Sequence, residues 1–509
     1  MKRTILILFC LVCMLMNFIP VNAAATSGEC GDDATWSLSS TGVLTISGTG
    51  PMDEFIYSGA GIYPPFYAPW REHASKVKKI VINSGITSIG PNAFCCLPNV
   101  TSVSIPNTVT FIGKAAFCDD TSLKSITIPN SVTTMEDSVF QECTSLTSVT
   151  LSNKLTEIPW DTFESCVSLA SIKLPDGITS IGPSAFAYCI KLESITIPQN
   201  VTSIGDSAFM SCDSLKKIVI PNRVTSIQKD TFHGCISLTD VTIPDSVTSI
   251  NMWAFANCEA LQNIQLPQNL TTIGREAFMY CTSLKSITIP ASVTDIGNSA
   301  FTICDSMTGI WVSPDNPVYS SSDDGILYNK DQTVLIKTPD ALSGNYTMQE
   351  NVTTIDRYAF YNCTGLTRIN MADSVTRIES CAFEYCTGLI SVTFHSDAPS
   401  FIGNSFFNTE TTIYYPADND TWTDSVLQDY GGRIVWMPLG SLLPGDLDGF
   451  TGVDNQDVEY LLWHTLYAED FPLPQSGDFN GDGNVDNQDV EYLLWYTLYP
   501  EDFPLVSST

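Results

Sequence analysis

"SLKSITIP" stands at Ser122–Pro129 and again at Ser283–Pro290. The two copies begin 161 residues apart, which is seven times 23. Between Lys76 and Asp305 the chain divides without a gap into ten units of 23 residues. Three of them read "SLKSITIPNSVTTMEDSVFQECT", "KLESITIPQNVTSIGDSAFMSCD" and "SLTDVTIPDSVTSINMWAFANCE". A fixed period of this size marks a solenoid, in which each repeat buries its apolar face only against its neighbours. The octapeptide recurs because its niche recurs on successive turns.

Each place in the unit has a physical role. Ile126 and Ile128 alternate with polar neighbours, the two-residue period of a strand with one buried face. Pro129 ends that strand, since proline has no N–H for the ladder. A second extended piece follows, such as Val201–Ile204, and then a Gly-x-x-Ala-Phe-x-x-Cys run expected to turn through a short helical corner. Phe fills place 19 in all ten units, from Phe94 to Phe301, and the pattern resumes at Phe360 and Phe383. Rings at one depth predict a continuous core.

Cysteine follows the same period. Cys143, Cys166, Cys189, Cys212, Cys235, Cys258, Cys281 and Cys304 are spaced by 23, and Cys363 and Cys386 extend the column. A disulfide ladder or a metal file would be the functional reading. A stack of small buried thiols is favoured, because free cysteine packs as a small hydrophobe. Removing a leader that holds Cys10 and Cys13 leaves 15 of the 17 cysteines, an odd number, so complete intramolecular pairing is impossible. One bond among Cys30, Cys95, Cys96 and Cys118 stays open.

These units resemble the BspA-type leucine-rich repeat family, over about Ser27 to Leu439. The opening "CGDDATWSLSSTGVLTISGTGPM" is similar to that family's N-terminal cap, and "IYYPADNDTWTDSVLQDYGGRIVW" to its C-terminal cap. The resemblance implies a surface or secreted binding protein and no chemistry. The register breaks once, at an insertion over residues 315–350 whose "DDG" and "NKDQ" turns between β-like runs predict hairpins projecting from the rod.

Residues 1–25 join Lys2 and Arg3 to an apolar run and a small-residue site after Ala23, the pattern of an export signal. The run is too short for a comfortable membrane span. The chain carries 55 acidic against 23 basic residues, a net charge of −32. That field repels phosphate, which argues against nucleic acid or an anionic membrane as partner. It suits an exported chain and divalent cations.

After Pro444 the composition changes. "GDLDGFTGVDNQDVEYLLWHTLYAEDFPL" is followed 32 residues later by "GDFNGDGNVDNQDVEYLLWYTLYPEDFPL". In the second copy Asp478, Asn480 and Asp482 hold places 1, 3 and 5 of a twelve-residue loop, Gly483 permits the turn, Asn484 offers its carbonyl, and Asp486 and Asp489 hold places 9 and 12. Ca²⁺ takes six to eight hard oxygens, and this spacing wraps them around one ion. The first copy keeps Asp446, Asp448, the Gly452 carbonyl, Asp454 and Asp457, but Phe450 and Thr451 replace a ligand and the turn glycine. A weaker site is expected there.

Two such loops, each with one helix, resemble a type I dockerin, over Gly445 to about Leu505. That resemblance implies an all-α calcium-binding module that docks into a cohesin of a scaffoldin, as in cellulosome-like polysaccharide-degrading assemblies. It also implies that Asn455, Gln456, Leu462 and Trp463, with Asn487, Gln488, Leu494 and Trp495, choose the partner. The usual Ser/Thr pair at loop places 10 and 11 is absent, which leaves the cohesin class open. The expected organisation is a signal at 1–25, a β cap at 26–75, a β-rich leucine-rich-repeat solenoid at 76–400, a C-terminal cap at 401–440 and the dockerin at 445–509.

An enzyme is the rival class, because dockerin proteins are often glycoside hydrolases. Hydrolysis needs two carboxylates across a cleft, whereas Asp213, Asp240 and Glu259 fall at variable turn places. The four histidines, His73, His233, His395 and His464, share no ligand spacing. Caps, rod and dockerin account for the whole chain, so the reading is non-catalytic. Carbohydrate binding is the alternative, with exposed aromatics around Phe55–Trp70, Trp311, Tyr319, Tyr328 and Tyr346 as its candidates. The first of these clusters is favoured instead as a plug for the open end of the rod.

Overall fold

The computed structural model describes residues 26–55 and 68–439, and towards the C-terminus residues 457–458, 461–462, 465, 479 and 485–498. The expected export signal lies outside the described residues. The fold divides into two compact units, Met1–Cys212 and Asp213–Thr509.

The first unit opens with an antiparallel meander, Ser27–Gly31, Ala34–Leu38 and Val43–Gly48. Its last strand pairs in parallel with Lys79–Ile82, and the repeats begin. Strand registers then advance by one repeat at each step: Lys79 faces Ser102, Ser125 faces Ser148, and Ser171 faces Ser194. A second line of short parallel strands runs alongside, with Ser180 facing Ser203. Ile126 and Ile128 are buried and Thr127 is exposed, as a one-faced strand requires. Many exposed threonines reach back one coil: Thr179 Oγ1 donates to the Thr156 carbonyl at 3.0 Å and Thr202 Oγ1 to that of Thr179 at 3.2 Å. The polar outer row therefore ties coils together as well as meeting solvent.

The corner is not helical, contrary to the sequence expectation. In the second coil the N–H groups of Ala116 and Cys118 close tight turns onto Gly113 and Ala115. Those of Ala115, Phe117 and Asp119 leave the coil and donate to the carbonyls of Asp137, Val139 and Gln141 at 2.9, 3.0 and 2.8 Å. A helix would spend every N–H inside its own turn. Sending alternate ones to the next coil requires left-handed residues at Ala115 (φ 53°) and Asp119 (φ 58°). Each such residue costs about 1–2 kcal/mol. The ladder bonds offset most of that cost, at about 1 kcal/mol each.

Inside the corner the phenylalanines stack. Phe94, Phe117, Phe140, Phe163, Phe186 and Phe209 follow one another at 5.4–5.7 Å between centroids, with ring planes within 19°. Trp70 continues the column at 5.5 Å from Phe94, donates Nε1–H to the Ala93 carbonyl at 2.9 Å, and is covered edge-on by Trp36 and Phe55. Phe55 and Trp70 therefore plug the stack; residues 56–67 lie outside the described residues.

The cysteine column is buried, and no disulfide joins its members among the described residues. The thiols of Cys143, Cys166 and Cys189 donate to the carbonyls of Phe117, Phe140 and Phe163 at 3.1–3.2 Å. Burial raises them, Cys189 to about 12. Cys95 and Cys96 sit with sulfurs 3.2 Å apart, and both are free thiols, as are Cys30 and Cys118.

One coil departs from the column. Asp120 occupies the cysteine niche, fully buried; Oδ1 accepts the Leu97 N–H at 2.9 Å and Oδ2 has no partner. Burial pushes this carboxyl well above the usual range, against the pull of the Leu97 N–H. The native chain therefore keeps a proton that the unfolded chain releases above about pH 4. Stability is lost as pH rises from there towards the raised native value. Asp120→Cys is expected to stabilise this coil by about 1–3 kcal/mol at pH 7, and by far less at pH 4. Hydrogen exchange at Leu97 and Phe117, measured at both pH values, checks it; an equal gain at both would show that the carboxyl does not titrate there.

The second unit continues the design. Lys217 faces Asp240, Ser286 faces Gly309, and Phe232, Phe255, Phe278 and Phe301 stack at 5.4–5.8 Å. The insertion does not project. Tyr319–Ser321, Leu327–Asn329 and Val334–Lys337 form an antiparallel sheet whose last strand runs parallel to Thr354–Ile355. Ile326, Leu327 and Tyr328 are buried, and Tyr328 shares a hydroxyl contact of 3.0 Å with Tyr346 in the core. The apolar run Ile326–Tyr328 that follows the "DDG" turn pulls it inwards. Tyr328 and Tyr346 therefore drop out as exposed sugar platforms, while Trp311 stays exposed. The solenoid closes on the parallel pair Glu410–Pro416 and Arg433–Leu439. Near the C-terminus a helix spans Asn487–Leu498, and Leu461, Phe479 and Leu493 are buried together.

Candidate functional site

Two regions gather residues suited to binding. The first is the start of the C-terminal helix. Asp489 is fully buried there, its Oδ1 accepting the Phe479 N–H at 2.8 Å and its Oδ2 the Asp486 N–H at 2.9 Å. Asp486 Oδ1 accepts the Gln488 N–H at 2.8 Å, an N-capping contact for Asn487–Leu498. Asp489 thus ties Phe479 and Asp486 to the start of the helix. Asp457, at the same place of the first copy, is also buried. Leu462, Leu494 and Trp495 are exposed, as are Asn487 and the Gln488 side chain, whereas Leu461 and Leu493 face inwards. Asp478, Asn480, Asp482, Asn484, Asp446, Asp448, Gly452, Asp454, Asn455, Gln456 and Trp463 lie outside the described residues.

The second region was not anticipated. On the corners of the later coils Tyr358, Tyr361, Tyr385 and Phe407 follow one another edge to face, with centroids 5.6, 5.6 and 6.4 Å apart. Tyr385 and Phe407 are exposed, and Tyr280 is exposed on an earlier corner. Desolvation raises the Tyr361 phenol, with Glu384 and the tyrosines at 280, 385 and 358 adding to it. The sequence signal was present but scattered. These aromatics fall at variable corner places, where other coils carry Ser, Asn or Glu, so no single unit displays them as a set.

His233 uses Nδ1 on Asp230 of its own corner at 2.9 Å and Nε2 on the Asn257 amide of the next coil at 3.0 Å, so both ring nitrogens are engaged. His395 Nε2 meets Asn370 Oδ1 at 2.9 Å, and His73 is buried. His464 lies outside the described residues. Among the described residues no helix is long and apolar enough to cross a membrane.

A parallel β-solenoid with one strand pair and one left-handed corner per 23 residues defines a leucine-rich-repeat protein. The chain matches the family model described as "BspA type Leucine rich repeat region (6 copies)" over residues 72–193, 179–308 and 342–428. Those spans make up more than half of the 509 residues, and the protein belongs to this family. Among solved structures, a leucine-rich repeat protein from Bacteroides ovatus is similar at 20% identity and a TM-score of 0.46, covering 80% of this chain and 99% of its own. A leucine rich cell surface protein from Faecalibacterium prausnitzii is similar at 22% identity and a TM-score of 0.38, covering 82% and 96%. A leucine-rich repeat protein from Eubacterium ventriosum is similar at 21% identity and a TM-score of 0.29, covering 81% and 85%. No curated protein matches the chain.

Proposed function

We propose that this chain is an exported, non-catalytic binding protein that a calcium-loaded dockerin, residues 445–509, attaches to a cohesin of a scaffoldin. The solenoid at 76–400, closed by caps at 26–75 and 401–440, would present the ligand surface. The observation that carries the docking half is the pair of acidic twelve-residue loops in near-identical copies, each followed by the same "VEYLLW" run. The donor set suits Ca²⁺: it consists of carboxylates, amide oxygens and carbonyls, and lacks thiols and imidazoles. Asp489 supports the same reading: a buried carboxylate at the twelfth place stands where the ion's last ligand belongs, and Ca²⁺ would supply positive charge there. Leu462, Leu494 and Trp495 are exposed apolar groups on that face, the composition of a contact surface.

The test is capture of the full chain on a panel of immobilised cohesins, with calcium and with chelator. Calcium-dependent retention on at least one cohesin is the expected result; retention on none would remove the docking half. A second reading, an accessory carbohydrate binder of polysaccharide breakdown, is favoured by the file of aromatics from half-buried Tyr358 and Tyr361 to exposed Tyr385 and Phe407. Release of reducing sugar by the purified chain would overturn both and install a glycoside hydrolase.

A further inference from the structure

Among the described residues the corner ladder fails in the tenth coil. In the ninth coil Glu276, Phe278 and Tyr280 donate their N–H groups to the Asn298, Ala300 and Thr302 carbonyls at 3.1, 2.8 and 3.0 Å. One coil later Ser299 and Phe301 stand at the same places, and their N–H groups find no carbonyl among the described residues. The next corner is too short to supply one. Leu335 pairs with Ile355, and the Thr338 N–H reaches the Ala359 carbonyl at 2.8 Å, the bond that place 19 makes elsewhere. Three residue steps thus replace the five between Ile355 and Phe360. Lys337 patches part of the gap, its Nζ reaching the Tyr361 carbonyl at 3.4 Å while it is paired with buried Asp340 at 2.5 Å.

The missing corner leaves a cavity of about 130 Å³, with Ser299, Phe301 and Thr302 on one wall and Asp356, Arg357 and Tyr358 on the other. Thr302 is 2% exposed and its hydroxyl has no partner. The walls are of mixed polarity. Two N–H groups, a hydroxyl and a guanidinium donate, while the Asp356 carboxylate accepts. An anion would meet Asp356 and the strongly acidic chain around it. A hydrocarbon would leave the Thr302 hydroxyl and both N–H groups unpaired, at a cost for each. Hydroxyl groups both donate and accept, and so satisfy both kinds of wall. Tyr358 stands at the cavity and also begins the aromatic file, whose rings offer apolar faces to a chain leaving it.

We propose that this break in the ladder is a saccharide site: one terminal sugar unit fills the cavity at Thr302, and the adjoining units lie along Tyr361, Tyr385 and Phe407. The proposal rests on the solenoid being a binding scaffold and deepens the carbohydrate reading; it does not depend on the dockerin. The test is calorimetry of the full chain with tetra- to hexasaccharides of cellulose, xylan, mannan and pectin, each beside its monosaccharide. At least one oligosaccharide should bind, and its monosaccharide more weakly. Thr302→Val, which keeps the shape and removes the hydroxyl, should weaken it about tenfold. Tyr385→Ala should weaken the oligosaccharide and leave the monosaccharide unchanged. Unaltered thermal melting would show that neither variant acts through folding. No binding across the panel, or binding indifferent to both variants, overturns the proposal. Cohesin capture measured on the same samples separates this failure from failure of the docking half.

Discussion

Phe186→Ala should destabilise the first unit by about 3–5 kcal/mol, the range for emptying a packed aromatic site. Phe186 is fully buried and touches Phe163 and Phe209, each 5.4 Å away, so its loss strips one ring contact from two further residues. Little can collapse into the space, because the intercoil N–H bonds to either side, Phe163 to Ala185 and Phe186 to Ala208 at 2.9 and 2.8 Å, hold the coil spacing. Phe301→Ala should cost clearly less. Phe301 stacks on one phenylalanine, Phe278 at 5.8 Å, and already borders the cavity of the shortened corner. Hydrogen exchange around each site resolves the two effects within the full chain. Equal losses would mean that the column is not the main store of stability.

Chelation of calcium should abolish cohesin capture while leaving the solenoid folded. Acidic oxygens gathered in a loop repel one another without the ion, so metal binding and local folding are linked. Asp489→Ala should be the most damaging single change, because it removes a proposed ligand and also the acceptor of the Phe479 and Asp486 N–H groups. Asp482→Ala should follow, and Asp457→Ala should be milder, since its loop already lacks a ligand at Phe450 and the turn glycine at Thr451. Restoring that loop with Phe450→Asp and Thr451→Gly should raise the affinity of the weaker site. Calorimetry of the full chain reads both sites at once. Two equal, tight sites in the unaltered protein would contradict this order, and no calcium binding at all would remove the dockerin reading.

The repeat was open to reading from residue types alone. Phe at place 19 of every unit, Cys at place 22 from the third unit on and alternating Ile in the strand are properties of single positions, and burial followed them: Phe94 to Phe278, Cys143 to Cys304 and Ile126 are all inside. The proposed calcium loops rest on spacing within twelve residues alone, whereas the bonds that Asp489 accepts from Phe479 and Asp486 needed coordinates.

What tertiary structure alone decided are matters of which residue faces which. The corner N–H of Phe117 finds its carbonyl 22 residues on, at Val139, so no local signal separates this ladder from a helical turn. Asp120 looks like one more turn aspartate until its niche proves to be the cysteine niche, where burial and an unpaired oxygen make it costly. Tyr358, Tyr361, Tyr385 and Phe407 form one file only after three coils are stacked. The insertion looked like an outgrowth because its turns are polar, yet Ile326, Leu327 and Tyr328 carry enough apolar surface to bring it inside. In a solenoid the chain determines by itself what each coil contains, because the period repeats the niche. Where a coil is two residues short, only stacking shows what its neighbours have lost: Ser299, Phe301 and Thr302 are ordinary in sequence, yet the N–H groups of the first two find no carbonyl among the described residues and the Thr302 hydroxyl has no partner.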